Sequence, residues 1–225
     1  MAVADDALKG MASRLAGCDV ILHTSGSLSS SVLEASGAAV GSFHPLHAMP
    51  DAYHHDDGHV ANELVGVFVA IEGDDAALSL ARELTSDLGA HAVEIPKEGK
   101  VLYHASAVML SNYMVTLFAH AQELMERAGV EEEDARAMLI RLGESALSNL
   151  QHLSAERALT GPVRRGDVET VRHHLEAFES HGLEGAESLY RALLGPTAQL
   201  AARVGLPAGA VAVFETEASS GSSSD

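Results

Sequence analysis

The chain has 225 residues, with 32 acidic against 14 basic side chains and a formal net charge of −18. That charge argues against a nucleic-acid partner, whose backbone needs a basic face, and against docking on an anionic membrane. The single cysteine, Cys18, excludes an internal disulfide and fits a reducing compartment. With no signal peptide and no run of roughly 20 uncharged apolar residues, the sequence predicts a soluble, cytoplasmic protein.

The acidic residues are spread along the whole chain, and only three lysines occur. Repulsion among so many like charges is screened in a very salty cytoplasm. We therefore hypothesise a halophilic source. A folded state that became less stable as salt was added would contradict this hypothesis.

The first 96 residues alternate short apolar runs with helical patterns. Asp5 or Asp6 is expected to cap a helix that ends near residue 16, and Asp74 to cap another that ends near residue 88. A short helix is expected over 29–35. Apolar runs between turn residues predict four strands, over 18–24, 38–43, 65–72 and 91–95. This alternation predicts an α/β sheet of parallel strands joined by crossovers.

From Lys100 onward the pattern predicts helices only. The first is expected to run from 100 to 128; it is apolar on nearly every side, which is typical of a buried helix. Further helices are predicted over 131–152, 168–180 and 183–204. The Ser/Gly-rich end, 218–225, is expected to be disordered. We therefore divide the chain into a partial Rossmann-like α/β domain over 1–96, a helical domain over 97–206 and a tail over 207–225.

One stripe of the predicted long helix carries Lys100 and His104, followed by Ala107 and Ser111, with Asn112 on its flank. Burying a lysine and a histidine one turn apart is costly unless a partner or ligand needs them. The stripe is therefore a candidate site. The alternative is that Lys100 lies in an exposed first turn and His104 bonds a neighbouring carbonyl.

The loop over 159–167 places Arg164 and Arg165 beside Asp167 in a very acidic chain. Arginine suits the bidentate capture of carboxylate or phosphate. The alternative is that Asp167 caps the following helix while the arginines pair with surface acids. A mixture of the two remains open.

Thr24, Ser25 and Gly26 follow the first predicted strand, and open α/β sheets bind ligands beyond the carboxyl ends of their strands. Ser25 and the backbone N–H groups near Gly26 are suited to hold an anion, although a simple tight turn explains the pattern as well. The histidines between 44 and 59 offer metal ligands, but their spacing matches no metalloenzyme signature. We therefore predict no metal site.

Five motifs lie in register over residues 3–205: His23-Thr-Ser-Gly26, Ser42-Phe-His-Pro-Leu46, Tyr103-His104, Ser111-Asn-Tyr113 and Leu159-Thr-Gly-Pro-Val-Arg-Arg-Gly-Asp167. Together they resemble a family of Rossmann-like, NADP-dependent oxidoreductases. The C-terminal helical domain of that family is of unknown function and is similar to that of 6-phosphogluconate dehydrogenase and ketopantoate reductase.

The resemblance implies a catalytic group. Lys100 would be the general acid/base or polarise the carbonyl, and His104, which stands where those relatives have an asparagine, would assist it. Asn112 is the third residue of this catalytic group. The same resemblance implies a substrate pocket. One side of it is lined by Asn112, Arg164, Arg165 and Asp167, and the side of the nucleotide domain by Ser25, Gly26 and His44. Cofactor contacts are implied for Thr24 and Ser25. The implied cofactor is NADP or NAD.

The resemblance departs from the family at the start of the chain. Val3-Ala-Asp-Asp-Ala7 resembles the end of the family's fourth strand and the helix start after it, and no G-x-G-x-x-G fingerprint occurs in the sequence. Three explanations are open: a truncated or misassigned start, an upstream half on a separate polypeptide, or a natural remnant that no longer binds nucleotide. Without earlier strands, the sheet would have an unpaired edge near 20–22.

The leading hypothesis is an NAD(P)-dependent oxidoreductase that acts on a small hydroxy/keto or imino acid and forms a homodimer through its helical domain. The alternative is a dimeric binding or scaffold protein that has lost nucleotide binding. A third interpretation, a metal-dependent hydrolase that uses the histidine-rich loop, requires stoichiometric metal in the purified protein.

Overall fold

The computed structural model of the chain describes residues 1–49 and 63–220. The chain divides into two compact units, Met1–Met114 and Val115–Asp225, and each is described by itself. The domain boundary predicted between residues 96 and 97 stays a prediction.

The first unit combines a four-stranded sheet with helices. Its elements in chain order are α1 (Asp5–Met11), β1 (Val20–His23), β2 (Ala39–Pro45), β3 (Phe68–Gly73), α2 (Asp75–Asp87), β4 (His91–Glu94) and α3 (Lys100–Leu110). Short 3₁₀ turns cover Ala12–Leu15, Ser30–Ser36 and Lys97–Gly99. The four predicted strands are therefore confirmed, while the helix predicted over 29–35 is a 3₁₀ turn.

The sheet is mixed, with the strand order β1-β2-β3-β4. β1 pairs with β2, and β3 with β4, in parallel. β2 and β3 are antiparallel, with Gly41 opposite Gly73 and Pro45 opposite Val69. This pairing corrects the expectation of parallel strands throughout. An antiparallel neighbour needs only a returning loop, whereas a parallel neighbour needs a crossover, and the strand pattern alone does not distinguish the two.

Two apolar clusters hold the elements against the sheet. Ile21 and Val40 pack with Leu33 and Ala12 of the 3₁₀ turns. A second cluster joins β3 to α2 through Val69, Ile71, Leu78 and Ala81. Burying each such side chain contributes about 1.5–3 kcal/mol relative to leaving it exposed.

The start of α2 differs from the prediction. Asp74 is its N-cap residue, but the side chain makes no capping hydrogen bond. Its Oδ2 instead accepts a hydrogen bond from the Val40 backbone N–H at 2.8 Å. The carboxylate therefore ties the start of the helix to β2, a partner that is distant in sequence.

The long helix predicted over 100–128 is interrupted. α3 ends at Leu110, Ser111 has φ −96° and ψ −72°, and α4 covers Asn112–Arg127. The expectation that this segment is buried is also wrong for the single chain, because Leu102 is 77% exposed and Val115 66% exposed. Of the described residues, the helical stretch Lys97–Arg127 passes a length-and-hydropathy test for a membrane span, which is weak evidence for one.

The second unit is helical. After α4 come α5 (Glu132–Leu150), α6 (Ala155–Ala158), α7 (Gly161–Arg165), α8 (Val168–Ser180), α9 (Glu184–Ala202) and α10 (Ala208–Ser219). The helices predicted over 131–152, 168–180 and 183–204 are confirmed to within two residues at each end. The tail predicted over 207–225 is wrong over 208–219, because α10 buries Val211 and Phe214 in the core of this unit.

Candidate functional site

Lys100 is the first residue of α3, and only 1% of it is exposed. Its Nζ donates hydrogen bonds to the carbonyl oxygen of Ser25 at 3.1 Å and to Ser42 Oγ at 3.0 Å. Burial lowers the pKa of Lys100, and the negative charges of Glu72 and Asp5 oppose that shift. The alternative in which Lys100 lies in an exposed first turn is therefore wrong.

Glu72 lies directly opposite Ser42 in the ladder between β2 and β3. It is buried, and its carboxylate accepts hydrogen bonds from the Ser30 backbone N–H at 2.9 Å and from Ser30 Oγ at 2.6 Å. The sequence analysis did not select Glu72 or Ser42. The signal for Glu72 was available: it is an acidic residue inside an otherwise apolar strand, where a charge needs partners.

His44 lies on β2 two residues after Ser42, so both side chains project from the same face of the sheet. Its Nδ1 is 2.8 Å from Tyr103 Oη, and its ring centroid is 6.1 Å from that of His104. Gly26 makes this arrangement possible, because a Cβ there would lie 2.7 Å from His44 Nε2. The structure therefore brings together three predicted residues, Gly26, His44 and His104.

Two buried or half-buried imidazoles are neutral at pH 7. Burial, followed by the charges of Lys100 and His104, lowers the pKa of His44 to about 4. Burial also lowers the pKa of His23, and Lys100 adds to the effect. His23 Nδ1 accepts a hydrogen bond from the Ser25 N–H at 3.2 Å, which leaves the proton on Nε2. Among buried side-chain nitrogen and oxygen atoms of the described residues, only this Nε2 makes no hydrogen bond of good geometry, although the Ser29 backbone opposes the lowering of the His23 pKa.

The low pKa of His44 predicts a loss of stability in acid. Between pH 6.5 and 4 the unfolded chain binds a proton on this imidazole that the folded chain excludes, so the free energy of unfolding falls as the pH falls. The free energy of unfolding should therefore be lower at pH 4.5 than at pH 7, and His44→Gln should make that difference about 2 kcal/mol smaller. This figure includes a reduction for solvent screening of the half-exposed ring. Urea unfolding at the two pH values measures it. The exposed control His152→Gln should leave the difference unchanged, and equal behaviour of both variants would refute the assignment.

The other predicted residues of the first unit have different surroundings. The Ser25 hydroxyl donates to Asp5 Oδ2 at 2.9 Å and accepts from the Leu28 N–H at 3.0 Å. The Ser25 carbonyl therefore accepts a hydrogen bond from Lys100, while the Ser25 hydroxyl stabilises the turn. Thr24 is exposed, and its N–H donates to the Met1 carbonyl. Asn112 is exposed at the start of α4. Ligand contacts by these residues stay predictions.

In the second unit, Asp167 caps α8. Its Oδ1 accepts from the Thr170 N–H at 3.1 Å and its Oδ2 from Thr170 Oγ1 at 2.8 Å. The hydrogen bonds from the Thr170 side chain and backbone lower the pKa of Asp167. The capping alternative is therefore confirmed for this residue.

In the part of the chain that the structure describes, the two arginines next to Asp167 form no ion pair with a surface acid. Arg164 is half-buried and donates from Nη2 to the Val204 carbonyl at 3.2 Å, and Arg165 is exposed. Over residues 1–49 and 63–220, neither guanidinium has a carboxylate partner within 4.0 Å. Both border an open depression of about 640 Å³. Their geometry suits an anion from solution.

A metal centre finds no support in the part of the chain that the structure describes. Over 1–49 and 63–220 no group of three His, Cys, Asp or Glu side chains is placed to hold a metal ion. Most of the histidine-rich loop over 44–59 falls within residues 50–62, which lie outside the described residues.

A strand-end turn and a buried lysine on a Rossmann-like sheet, followed by a helical unit, define the class of Rossmann-like proteins with a helical C-terminal domain. The chain belongs to the family described as Domain of unknown function (DUF2520), which matches residues 67–196. The resemblance drawn from the five sequence motifs is thereby confirmed.

Three solved structures are similar to the chain. Protein TM1727 from Thermotoga maritima has 25% sequence identity and a TM-score of 0.73 over 90% of this chain and 77% of that one. A Bacteroides fragilis protein assigned as an NADP oxidoreductase has 18% identity and a TM-score of 0.70 over 88% and 73%. Pyrroline carboxylate reductase from Plasmodium falciparum, solved with NADP bound, has 10% identity and a TM-score of 0.52 over 87% and 75%. No curated protein sequence matches the chain.

Proposed function

We propose that this protein is an NAD(P)-dependent oxidoreductase that acts on a small hydroxy/keto or imino acid. The observation that carries the proposal is the Lys100 ammonium, buried between the Ser25 carbonyl and the Ser42 hydroxyl. Strongly perturbed titratable groups cluster at functional sites, and here Lys100 lies among two histidines whose pKa values are also lowered. The names of two similar structures support the reaction class.

Lys100 is proposed as the general acid/base. Two of its three ammonium hydrogens are used by the hydrogen bonds to Ser25 and Ser42, which leaves one for the oxygen or nitrogen of a substrate. Burial lowers the pKa of Lys100, so the ammonium gives up its proton more readily than an exposed lysine does. His104 is proposed to assist it. His44, neutral and held by Tyr103, keeps a second positive charge away from Lys100.

The turn over residues 24–26 is proposed to contact the nucleotide. NAD(P), when bound, donates or accepts the hydride. The turn lies at the carboxyl end of β1, the position where open α/β sheets bind ligands. The His44 ring packs directly against the Gly26 backbone, where a Cβ would lie 2.7 Å from His44 Nε2. Thr24, which is exposed, and Ser25 are the proposed contacts.

On the strength of the family resemblance, Arg164 and Arg165 are proposed as contacts for an acid group. Both border the depression in the second unit, and neither has a carboxylate partner in the described part of the chain. Asp167, as the cap of α8, would fix the short connection between α7, which carries both arginines, and α8. Asn112 is proposed as a further substrate contact on the strength of the family resemblance.

The nucleotide assignment is tested by titrating NADPH, then NADH, into the purified chain in molar salt while following nucleotide fluorescence. We expect a dissociation constant in the micromolar range. Gly26→Ala should weaken binding, because its Cβ displaces the His44 ring. Gly10→Ala is the matched control, since a Cβ at Gly10 meets no atom within 4 Å. Absence of binding to the wild-type chain would mean that this chain alone is not the enzyme.

The proposal includes a homodimer through the helical unit. Large apolar side chains are exposed on α4 and α5, among them Val115 at 66% and Leu142 at 64%. Exposed apolar surface of that kind is typical of interaction sites. Sedimentation equilibrium in molar salt should report twice the mass of the chain, and Leu142→Glu should lower it. Leu46→Glu, an exposed leucine of the first unit, is the control, and a wild-type monomer would refute the dimer.

A second candidate is a dimeric binding or scaffold protein without nucleotide chemistry. The nearly complete burial of Lys100 favours it, because both described hydrogen bonds of the ammonium tie protein segments to each other. This candidate predicts no NADPH binding and a purely structural role for Lys100. The titration above separates the two.

A further inference from the structure

The second unit contains a mostly apolar cavity of about 400 Å³. The side chains that line it include Leu124, Val163, Phe178, Leu189 and Leu194. The volume falls within the range of small-molecule sites. At about 30 Å³ for each water-sized group, it holds roughly a dozen such groups. The cavity therefore has room for a hydrocarbon chain of moderate length.

The polar side chains in the cavity wall are largely occupied by other protein groups. The Tyr190 hydroxyl is 3.0 Å from His174 Nδ1, and Thr197 Oγ1 donates to the Leu193 carbonyl at 2.7 Å. A ligand inside the cavity therefore does not have to supply hydrogen bonds to these groups. An apolar body suits this space better than a polyhydroxylated one, which would lose its hydrogen bonds to water.

A charged end adjoins this apolar space. Thr160 lines both the cavity and the depression that Arg164 and Arg165 border. Six other arginines of the same unit each pair with a glutamate, among them Arg172 with Glu217, Arg191 with Glu187 and Arg203 with Glu156. In a chain of net charge −18, Arg164 and Arg165 have no such partner among the described residues and border the depression, so they are available for an anion from solution.

We propose that the second unit binds an amphipathic carboxylate, with its apolar body in the cavity and its carboxylate on Arg164 and Arg165. The inference rests on the arginine pair of the proposed function and deepens it by naming the ligand class. The acid carries an unbranched or branched apolar body of about six to ten carbons, which the cavity volume accommodates.

The binding of the apolar body in the cavity is tested by calorimetric titration. The ligands are hexanoate, octanoate and decanoate, each kept below its critical micelle concentration. Affinity should rise about fourfold with each added methylene, the factor that corresponds to burying one CH₂ group. Ala121→Leu, which fills part of the cavity wall, should weaken octanoate and abolish the gain from octanoate to decanoate. Circular dichroism and an unchanged unfolding midpoint show that the variant is folded.

The contact of the carboxylate with Arg164 and Arg165 is tested by comparing octanoate with 1-octanol. Arg165→Gln should weaken octanoate about tenfold, as expected for the loss of one charge-assisted contact, and leave 1-octanol unchanged. The control is Arg157→Gln, the same substitution at an exposed arginine outside the lining of both spaces. It should affect neither ligand.

Any of three results would overturn the inference: no binding of octanoate, equal affinity for octanoate and 1-octanol, or an affinity for octanoate that neither Arg165→Gln nor Ala121→Leu changes. Failure here is distinguishable from failure of the oxidoreductase proposal. Octanoate binding without NADPH binding would leave the ligand site and remove the proposed reaction. NADPH binding without octanoate binding would remove the ligand site and leave the proposed reaction.

Discussion

Replacing Lys100 by methionine is expected to lower turnover by about a hundred- to ten-thousandfold, the usual contribution of a positioned general acid or base. Methionine keeps much of the volume of the buried side chain but supplies no proton. The partners of the ammonium, the Ser25 carbonyl and Ser42 Oγ, are themselves buried parts of the sheet and its loop. The loss should therefore appear in kcat with little change in NADPH affinity.

The assay follows NADPH oxidation with a panel of 2-keto acids and cyclic imino acids, using the compound that the wild-type chain reduces fastest. Lys97→Met is the matched control, because Lys97 lies three residues upstream, is exposed and pairs with Glu34 at 3.1 Å. It should retain wild-type activity. Similar turnover in the Lys100 and Lys97 variants would remove Lys100 from catalysis and leave it a structural role only.

Lys100 also predicts the pH dependence of the reductive direction. Because burial lowers the pKa of Lys100, the ammonium deprotonates at a lower pH than an exposed lysine. If it donates the proton, kcat falls as the pH rises through that pKa. The same decline should be missing from the residual activity of Lys100→Met, which distinguishes a proton donor from a merely structural lysine.

Replacing Phe214 by alanine is expected to lower the free energy of unfolding by about 3–5 kcal/mol. Phe214 is fully buried, with 0% exposure, where α10 packs into the core of the second unit. Removing the ring takes away its transfer free energy and leaves a cavity. The loss should appear in urea unfolding followed by far-UV circular dichroism.

Phe68→Ala is the control for that experiment. Phe68 is 55% exposed on β3, so the same substitution removes far less buried surface and should cost much less. A tail over 207–225 that does not pack on the helical unit predicts no effect from Phe214→Ala. A loss no larger than that of Phe68→Ala would therefore show that α10 does not dock in solution.

Much of the secondary structure is predictable because it depends on local patterns. Apolar runs between turn residues located the four strands, and acidic first turns followed by an apolar period located α5, α8 and α9. α10 escaped prediction because its alanine-rich sequence has no clear polar face, and only the packing of Phe214 marks it as a structured helix.

The candidate site was predictable in part. Lys100 and His104 were selected as titratable residues on an apolar helix, and Gly26 as part of a turn after a strand. His44 was selected from the family resemblance. Glu72 and Ser42 were missed, because each matters only through a partner that lies tens of residues away, Ser30 for Glu72 and Lys100 for Ser42.

The sequence by itself determined the fold class, the four strands, the helices α5, α8 and α9, the family motifs and the acidic character of the chain. These follow from periodicity, turn chemistry and charge, which are local or additive properties. The tertiary structure decided the antiparallel pairing of β2 with β3, the contact of Asp74 with Val40, the burial of Lys100 and the docking of α10. Each of these depends on which distant residues meet, and a hydrogen bond or a packed core is a property of the meeting partners rather than of either segment alone.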